Sequence, residues 1–258
     1  MQPKQELDGI FSIPVPYKDI FTTVYVIRTE EGVLLFDAAS YDSDVSDVLL
    51  PALEALSISP EELRGVFISH NHTDHAGGLA ALLAAFPALT VYSRSEKLRE
   101  KHRDANVRSF SDGERILGDL YAITLPGHTP DSAGVLCRRR ACLISGDSLQ
   151  LHGIFGSGLW GANVRFPAAH LEALEKLRQT EGVEHLYTAH HYEPYGRCHH
   201  GREAILRVIE ACREPLLEVR ELIEAHPALD DAAIAALYNA KAHRPTLGPH
   251  VVTALREL

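Results

Sequence analysis

The chain reads as an α/β protein in which sheets pack between helices, followed by a helical C-terminal extension. Three observations predict this. Up to about residue 198, short β-branched and aromatic runs alternate with amphipathic helical patterns. Metal-capable side chains recur directly after apolar runs, where strand-end loops lie. From His199 onward the pattern is helical, so residues 1–198 form one α/β domain and 199–258 a helical extension.

Gly9 to Tyr17 and Thr22 to Arg28 read as strands, Glu30-Glu31-Gly32 as a turn and Val33 to Phe36 as a third strand ending at Asp37. Ser43 is placed to cap a helix running to about Leu56, with Val45, Val48, Leu49, Leu53 and Leu56 on one face. Pro60 to Leu63 reads as a short helical turn, Val66 to Ile68 as a buried strand and Ala76 to Phe86 as a helix. Leu89 to Tyr92 and Val107 to Phe110 are strands around a short helix, Ser95 to His102. Arg115 to Leu125, Ala133 to Cys137 and Ala141 to Ile144 supply further strands. A helix from Pro167 to Gln179 and a last strand, His185 to Thr188, close the domain. The extension reads as one long helix with Pro215 in its path, then Leu229 to Tyr238 and Pro249 to Leu258.

The 258 residues suit one large domain, or one domain plus an appendage. A formal net charge of −10 argues against a nucleic-acid-binding surface. No cysteine belongs to a Cys-Xaa-Xaa-Cys pair; Cys137 and Cys142 are placed to face each other across a hairpin as small buried residues. The N-terminus has no apolar signal core and no stretch approaches a membrane span, so no membrane partner is expected and a cytoplasmic location is the default.

The stretch Gly65 to Leu79 contains His70-Asn-His72-Thr-Asp74-His75 between a strand and a Gly-rich helix start. A His-Xaa-His spacing suits an extended turn, not a helix face, where ligand pairs sit three or four apart. Three imidazoles and a carboxylate within six residues exceed what one metal needs, and point to two neighbouring ions. His128, Asp147 and His190 lie at three later strand ends. Converging loops then give one site from His70, His72 and His128 and a second from Asp74, His75 and His190, with Asp147 able to bridge.

This ordered set, with Gly127-His128-Thr129-Pro130, Ser145-Gly146-Asp147 and a late His after a strand, resembles the metallo-β-lactamase fold superfamily over roughly residues 10 to 195. The resemblance implies an αββα sandwich with the metal site at one edge. It also implies that Asp37, after Val33-Leu-Leu-Phe, orients the site by hydrogen bonds instead of ligating. Two departures stand out. Asp131 occupies a position commonly Gly, and the last motif reads Ala189-His190-His191-Tyr192. His190 aligns best as the last ligand, with His191 the alternative.

Such a site activates water, because zinc lowers the pKa of a bound water to about 7. The expected reaction is hydrolysis of a small ester, thioester or lactone by metal-bound hydroxide, with two zinc ions per chain; the ligands also suit iron or manganese. Asp74 is placed to orient the water or to pass a proton to the leaving group. Competing readings are a mono-iron oxidoreductase of the persulfide dioxygenase type, a β-lactamase and a nuclease. The apolar, glycine-rich segment Leu149 to Asn163 follows Asp147; its Phe155 and Trp160 are candidate substrate-binding residues, as part of a lid or packed on the helical tail. Arg165 either holds a substrate carboxylate or faces solvent. The helical tail is a candidate for completing the pocket or for a homodimer interface.

Overall fold

The computed structural model describes residues 2–18, 20–149, 154–155, 158–159, 164–192, 195–241 and 247–258, with the backbone alone at 154–155 and 158–159. Seven strands form the first sheet in chain order: β1 (Lys4–Leu7), β2 (Ile10–Tyr17), β3 (Ile20–Thr29), β4 (Gly32–Phe36), β5 (Leu63–Phe67), β6 (Thr90–Tyr92) and β7 (Val107–Arg108). It is antiparallel as far as β4 and parallel from β4 to β7. The second sheet runs β15-β14-β11-β10-β9-β8. Its strands are β8 (Arg115–Leu117), β9 (Leu120–Thr124), β10 (Ala133–Cys137), β11 (Cys142–Ile144), β14 (His185–Tyr192) and β15 (Gly196–His200). A short pair, β12 (Ile154–Phe155) and β13 (Gly158–Leu159), forms a separate two-stranded sheet.

Side-chain alternation divides the core into three layers, because successive strand residues face opposite sides of a sheet. After α1 (Asp42–Asp44), Val24, Val26, Val33 and Leu35 pack outward in one apolar cluster with α2 (Leu50–Ala55), α3 (Thr73–Ala76), α4 (Leu79–Ala85) and α5 (Glu96–Lys101). Tyr25, Ile27, Leu34, Phe36 and Phe67 face the second sheet and meet Leu120, Val135, Ile144 and Tyr187. The far side of that sheet carries α6 (Pro167–Gln179), α7 (Arg202–Ala225), α8 (Asp231–Lys241) and α9 (Pro249–Arg256) in one apolar cluster with Ile123, Leu143 and Leu186. This is an αββα sandwich. Central strands buried on both faces explain the near-continuous apolar runs Val24–Ile27 and Val33–Phe36. Phe36, Phe67 and Phe110 stack between the sheets, with centroids 5.5 and 4.8 Å apart. Truncating Phe67 to Ala would cost about 3–5 kcal/mol.

Several elements differ from the sequence expectation. Ser43 does not cap the first helix: Tyr41 is its N-cap, and Asp44 Oδ2 accepts from the Ser40 and Tyr41 N–H groups. Val45–Leu49 then forms a wide π-helical turn. Pro51, at the start of α2, has no N–H for the Asp47 carbonyl, which permits the widening. Pro60 to Leu63 is not helical; Ser59 and Glu62 close a turn and Leu63 opens β5. The helix expected from Ala76 to Phe86 is two, α3 and α4, broken at Gly77-Gly78. A Cβ on Gly77 would lie 1.9 Å from the Ser40 carbonyl oxygen, and one on Gly78 2.4 Å from that of Ala38. The break therefore comes from close backbone approach. Helical structure resumes at Arg202, not His199, because Gly196–His200 pairs as an edge strand with β14. Cys137 and Cys142 do face each other across the β10–β11 hairpin.

Among the described residues no helix is long and apolar enough to cross a membrane.

Candidate metal centre

The loops carrying the candidate ligands leave the same edge of the sandwich. β4 ends directly at Asp37, β5 delivers Ser69 and His70, β11 leads to Asp147, and β14 carries His190. His72 is the N-cap of α3, whose first turn presents Asp74 and His75. The Ala38 N–H donates to the His75 carbonyl (2.7 Å) and the Gly78 N–H to that of Ala39 (3.2 Å). These bonds clasp the loop after β4 to the loop after β5. The clasp holds Asp37 at φ +69° and Ala39 at φ +63°, a sparsely populated conformation maintained only by surrounding structure. The His128 turn rests on α6. Gly127 has φ +146°, and a Cβ there would lie 2.5 Å from His170, so glycine is required.

Seven side chains converge. His70, His72 and His128 offer ligand atoms within 4.8 Å of one another, as do Asp74, His75 and His190. Asp147 lies between the groups. Its Oδ2 is 3.8 Å from His70 Nε2, 3.7 Å from His128 Nε2 and 3.3 Å from His75 Nε2, while its Oδ1 is 3.4 Å from His190 Nε2. Asp74 Oδ2 is 3.2 Å from His75 Nε2 and 3.3 Å from His190 Nε2. His128 Nε2 approaches His72 Nδ1 to 2.9 Å. All seven are buried except His72, which is half-buried.

Hydrogen bonds behind the rings fix which nitrogen faces inward. His190 Nδ1 lies 2.9 Å from the Phe21 carbonyl oxygen, which can only accept, so Nδ1 carries the proton and Nε2 faces the centre. Asp37 Oδ2 accepts from His75 Nδ1 at 2.7 Å and from Ser69 Oγ at 3.0 Å; its Oδ1 accepts from the Ser69 N–H at 2.8 Å. With its proton on Asp37, the Ser69 hydroxyl accepts from His70 Nδ1 at 3.0 Å. Asp37 thus orients two imidazoles without reaching the centre. Thr22 Oγ1 donates to Asp74 Oδ2 at 2.9 Å.

The electrostatics are those of a cation site. Burial pushes the Asp74 and Asp147 carboxyls up, but the facing imidazoles outweigh it and hold both well below the usual range. Burial pushes His75 and His190 down, yet Asp147 and Asp74 raise them; His75 ends well above its ordinary value and His190 at about 9. The carboxylates demand positive charge at those Nε2 positions. His70 and His72 are lowered, chiefly by burial; neighbouring imidazoles also lower both, and the Arg165 charge adds to the effect on His72.

The donor set fits divalent metal. His70 Nε2 is buried and makes no hydrogen bond, a costly arrangement unless a cation completes it. Imidazole nitrogens and carboxylate oxygens are the ligands of zinc, iron and manganese.

Every ligating position read from the sequence is brought to this cluster, and Asp37 lies directly behind it. His191 is on the exposed face of β14, since strand alternation turns it away from His190. Arg165 is exposed beside His72. Trp160, His152 and the Phe155 side chain lie outside the described residues. Sequence reasoning missed Thr22, Ser69 and the Phe21 carbonyl. Ser69 directly precedes His70; nothing in the sequence marks the other two, which reach the site from β3.

The profile of the Metallo-beta-lactamase superfamily matches residues 17–190, from β2 to His190. The chain belongs to this superfamily. It is 29% identical to a hydroxyacylglutathione hydrolase of Bartonella henselae over 169 residues, 62% of each chain. It is 32% identical to a hydroxyacylglutathione hydrolase of Thermosynechococcus vestitus over 146 residues, 55% of each. The chain thus spans less than two thirds of the length of these relatives. Among solved structures, a metallo-beta-lactamase family protein of Thermus thermophilus superposes with a TM-score of 0.64 at 17% identity, covering 98% of this chain and 92% of that one. The flavodiiron protein of Giardia intestinalis gives 0.65 at 19%, covering 83% and 59%. At such identities the metallo-beta-lactamase fold alone is shared.

Proposed function

We propose that this metallo-beta-lactamase-fold protein is a two-metal hydrolase of a small thioester, with lactones and simple esters as neighbouring substrates. One observation carries the reading: two three-residue ligand groups with Asp147 between them. A site for a single metal needs only the first group. His70, His72 and His128 would hold one ion, and Asp74, His75 and His190 the second. Zinc is the metal proposed. The similarity to hydroxyacylglutathione hydrolases supports a thioester among the possible carbonyl substrates.

Bound metal supplies a nucleophilic water near neutral pH and polarises the substrate carbonyl. The chain's own residues supply orientation. Asp37 and Ser69 hold His70 and His75 with their Nε2 atoms inward, and the Phe21 carbonyl does the same for His190. Thr22 fixes the Asp74 carboxylate. Asp74, pushed up by burial but held by the facing imidazoles well below the ordinary carboxylate range, stands where it would orient the water or pass a proton to the leaving group.

Metal analysis of purified protein, followed by a screen of thioesters, lactones and β-lactams, tests this reading. Two equivalents of zinc with thioester turnover are expected. One equivalent of iron, with oxygen uptake on a persulfide and no hydrolysis, would overturn it.

A further inference from the structure

β15 is the edge strand of the second sheet, and its register with β14 sets His200 directly opposite His185. The two Nδ1 atoms face each other at 2.9 Å, with ring centroids 5.1 Å apart. The Tyr187 ring flanks His200 at 5.9 Å. His200 is exposed and His185 half-buried, so the pair opens to solvent. His185 lies five residues before His190 on β14, about 16 Å along the strand from the candidate metal centre.

The backbone fixes both residues from outside the pair. The Glu184 and His185 N–H groups donate to the Ala141 carbonyl at 2.8 and 3.0 Å, and the Gly201 N–H donates to the Glu184 carbonyl at 2.8 Å. Little ordering then remains to oppose a ligand. Burial, and after it the neighbouring His200, hold His185 below its ordinary value, while Glu184 adds a nearby negative charge. A neutral imidazole keeps a ring nitrogen for coordination. The separation fits as well. With metal–nitrogen bonds of about 2.0–2.1 Å, two imidazoles on one ion stand about 2.8–3.4 Å apart, from a right angle to a tetrahedral one. The same 2.9 Å separates His128 Nε2 from His72 Nδ1 in the candidate metal centre.

We propose that His185 and His200 form a separate surface metal site, which takes one divalent transition ion of the copper(II) or nickel(II) class. Imidazole holds these ions more tightly than manganese or iron, and copper(II) more tightly than zinc. Water fills the remaining positions. The ion would tie the edge strand to its neighbour. His200 directly precedes Gly201 and α7, so the same tie holds the entry to the C-terminal helical layer. Occupancy therefore stabilises the fold and contributes nothing to hydrolysis.

The test uses the whole chain with its metal centre first saturated with zinc. Copper(II) is added in small steps and followed by electron paramagnetic resonance, and elemental analysis after gel filtration reports the zinc retained. One further equivalent of copper with two nitrogen ligands, and no loss of zinc, is expected. H185N and H200N should each weaken that uptake by about a hundredfold, because the second imidazole of the pair binds intramolecularly. Nickel(II) should raise the thermal unfolding midpoint of the wild-type chain and not that of H185N/H200N. Circular dichroism checks the fold of each variant, and the exposed His200 is the substitution that disturbs packing less. No further equivalent in the wild-type chain would overturn the proposal, leaving the pair as two neutral rings joined by an N–H···N hydrogen bond. Copper uptake unchanged in H200N, or copper gained only as zinc leaves, would overturn it too, by placing the ion at other histidines or in the metal centre.

Discussion

Two polar clusters lie in the apolar sandwich, and they are built on opposite principles. One is the candidate metal centre. The other ties the N-terminal strands to β15: Arg197 binds Glu6 at 2.5 Å and Tyr25 Oη at 2.6 Å, Ser12 donates to Glu6 at 2.7 Å, and Tyr25 Oη donates to the Thr188 carbonyl at 2.6 Å. In this second cluster donors and acceptors answer each other, so the network closes on itself. In the candidate metal centre, hydrogen bonds lie behind the rings, while His70 Nε2, facing inward, makes no hydrogen bond. The difference separates a fastening of the fold from a site awaiting a ligand: closure stabilises, and convergence without closure binds.

Removing members of each cluster should therefore have opposite consequences. H70A/H72A should lose hydrolysis and at least one of two metal equivalents while keeping its circular dichroism; full activity would end the comparison. R197M should leave metal content per folded molecule unchanged but lower unfolding stability by about 2 kcal/mol in urea, because Glu6 keeps Ser12 and Lys4 but loses its guanidinium. D37N should weaken metal binding about 10–100-fold in a chelator competition, since it disorders two ligands without removing one. The smallest effect concerns pH. Glu6 is pushed up by burial, but Ser12, Arg197 and Lys4 bring it down to about 2, against an ordinary 4.5. A carboxylate depressed in the folded state contributes its stability fully above pH 4.5 and loses it as pH falls toward 2. E6Q should flatten acid unfolding in that window, and an unchanged acid slope would contradict the closed network.

The ligand motifs were legible in the sequence because they depend on local order. His70-Xaa-His72-Xaa-Asp74-His75 and the strand-end positions of His128, Asp147 and His190 lie next to apolar runs whose period is visible. What escaped notice depends on contacts between distant segments. β1 and β15 are short edge strands, Lys-Gln-Glu-Leu and Gly-Arg-Cys-His-His, without apolar alternation; only their neighbours make them strands. Thr22 and Phe21 act on residues more than fifty positions away. Gly77-Gly78 reads as a helix start in sequence, and only the Ser40 and Ala38 carbonyls reveal why side chains are excluded there.

The backbone clasp between the loops after β4 and β5 has one more consequence. It is made of main-chain atoms and two glycines, so it does not depend on which side chains line the mouth of the site. The rim formed by the β6–α5 loop and the segment before α6 is free to be rewritten without retuning the ligand geometry beneath it. Such a chassis accepts new substrates by exchange of its rim, and engineering of this protein should leave residues 37–41 and 72–78 untouched while varying positions 94, 97, 131 and 165.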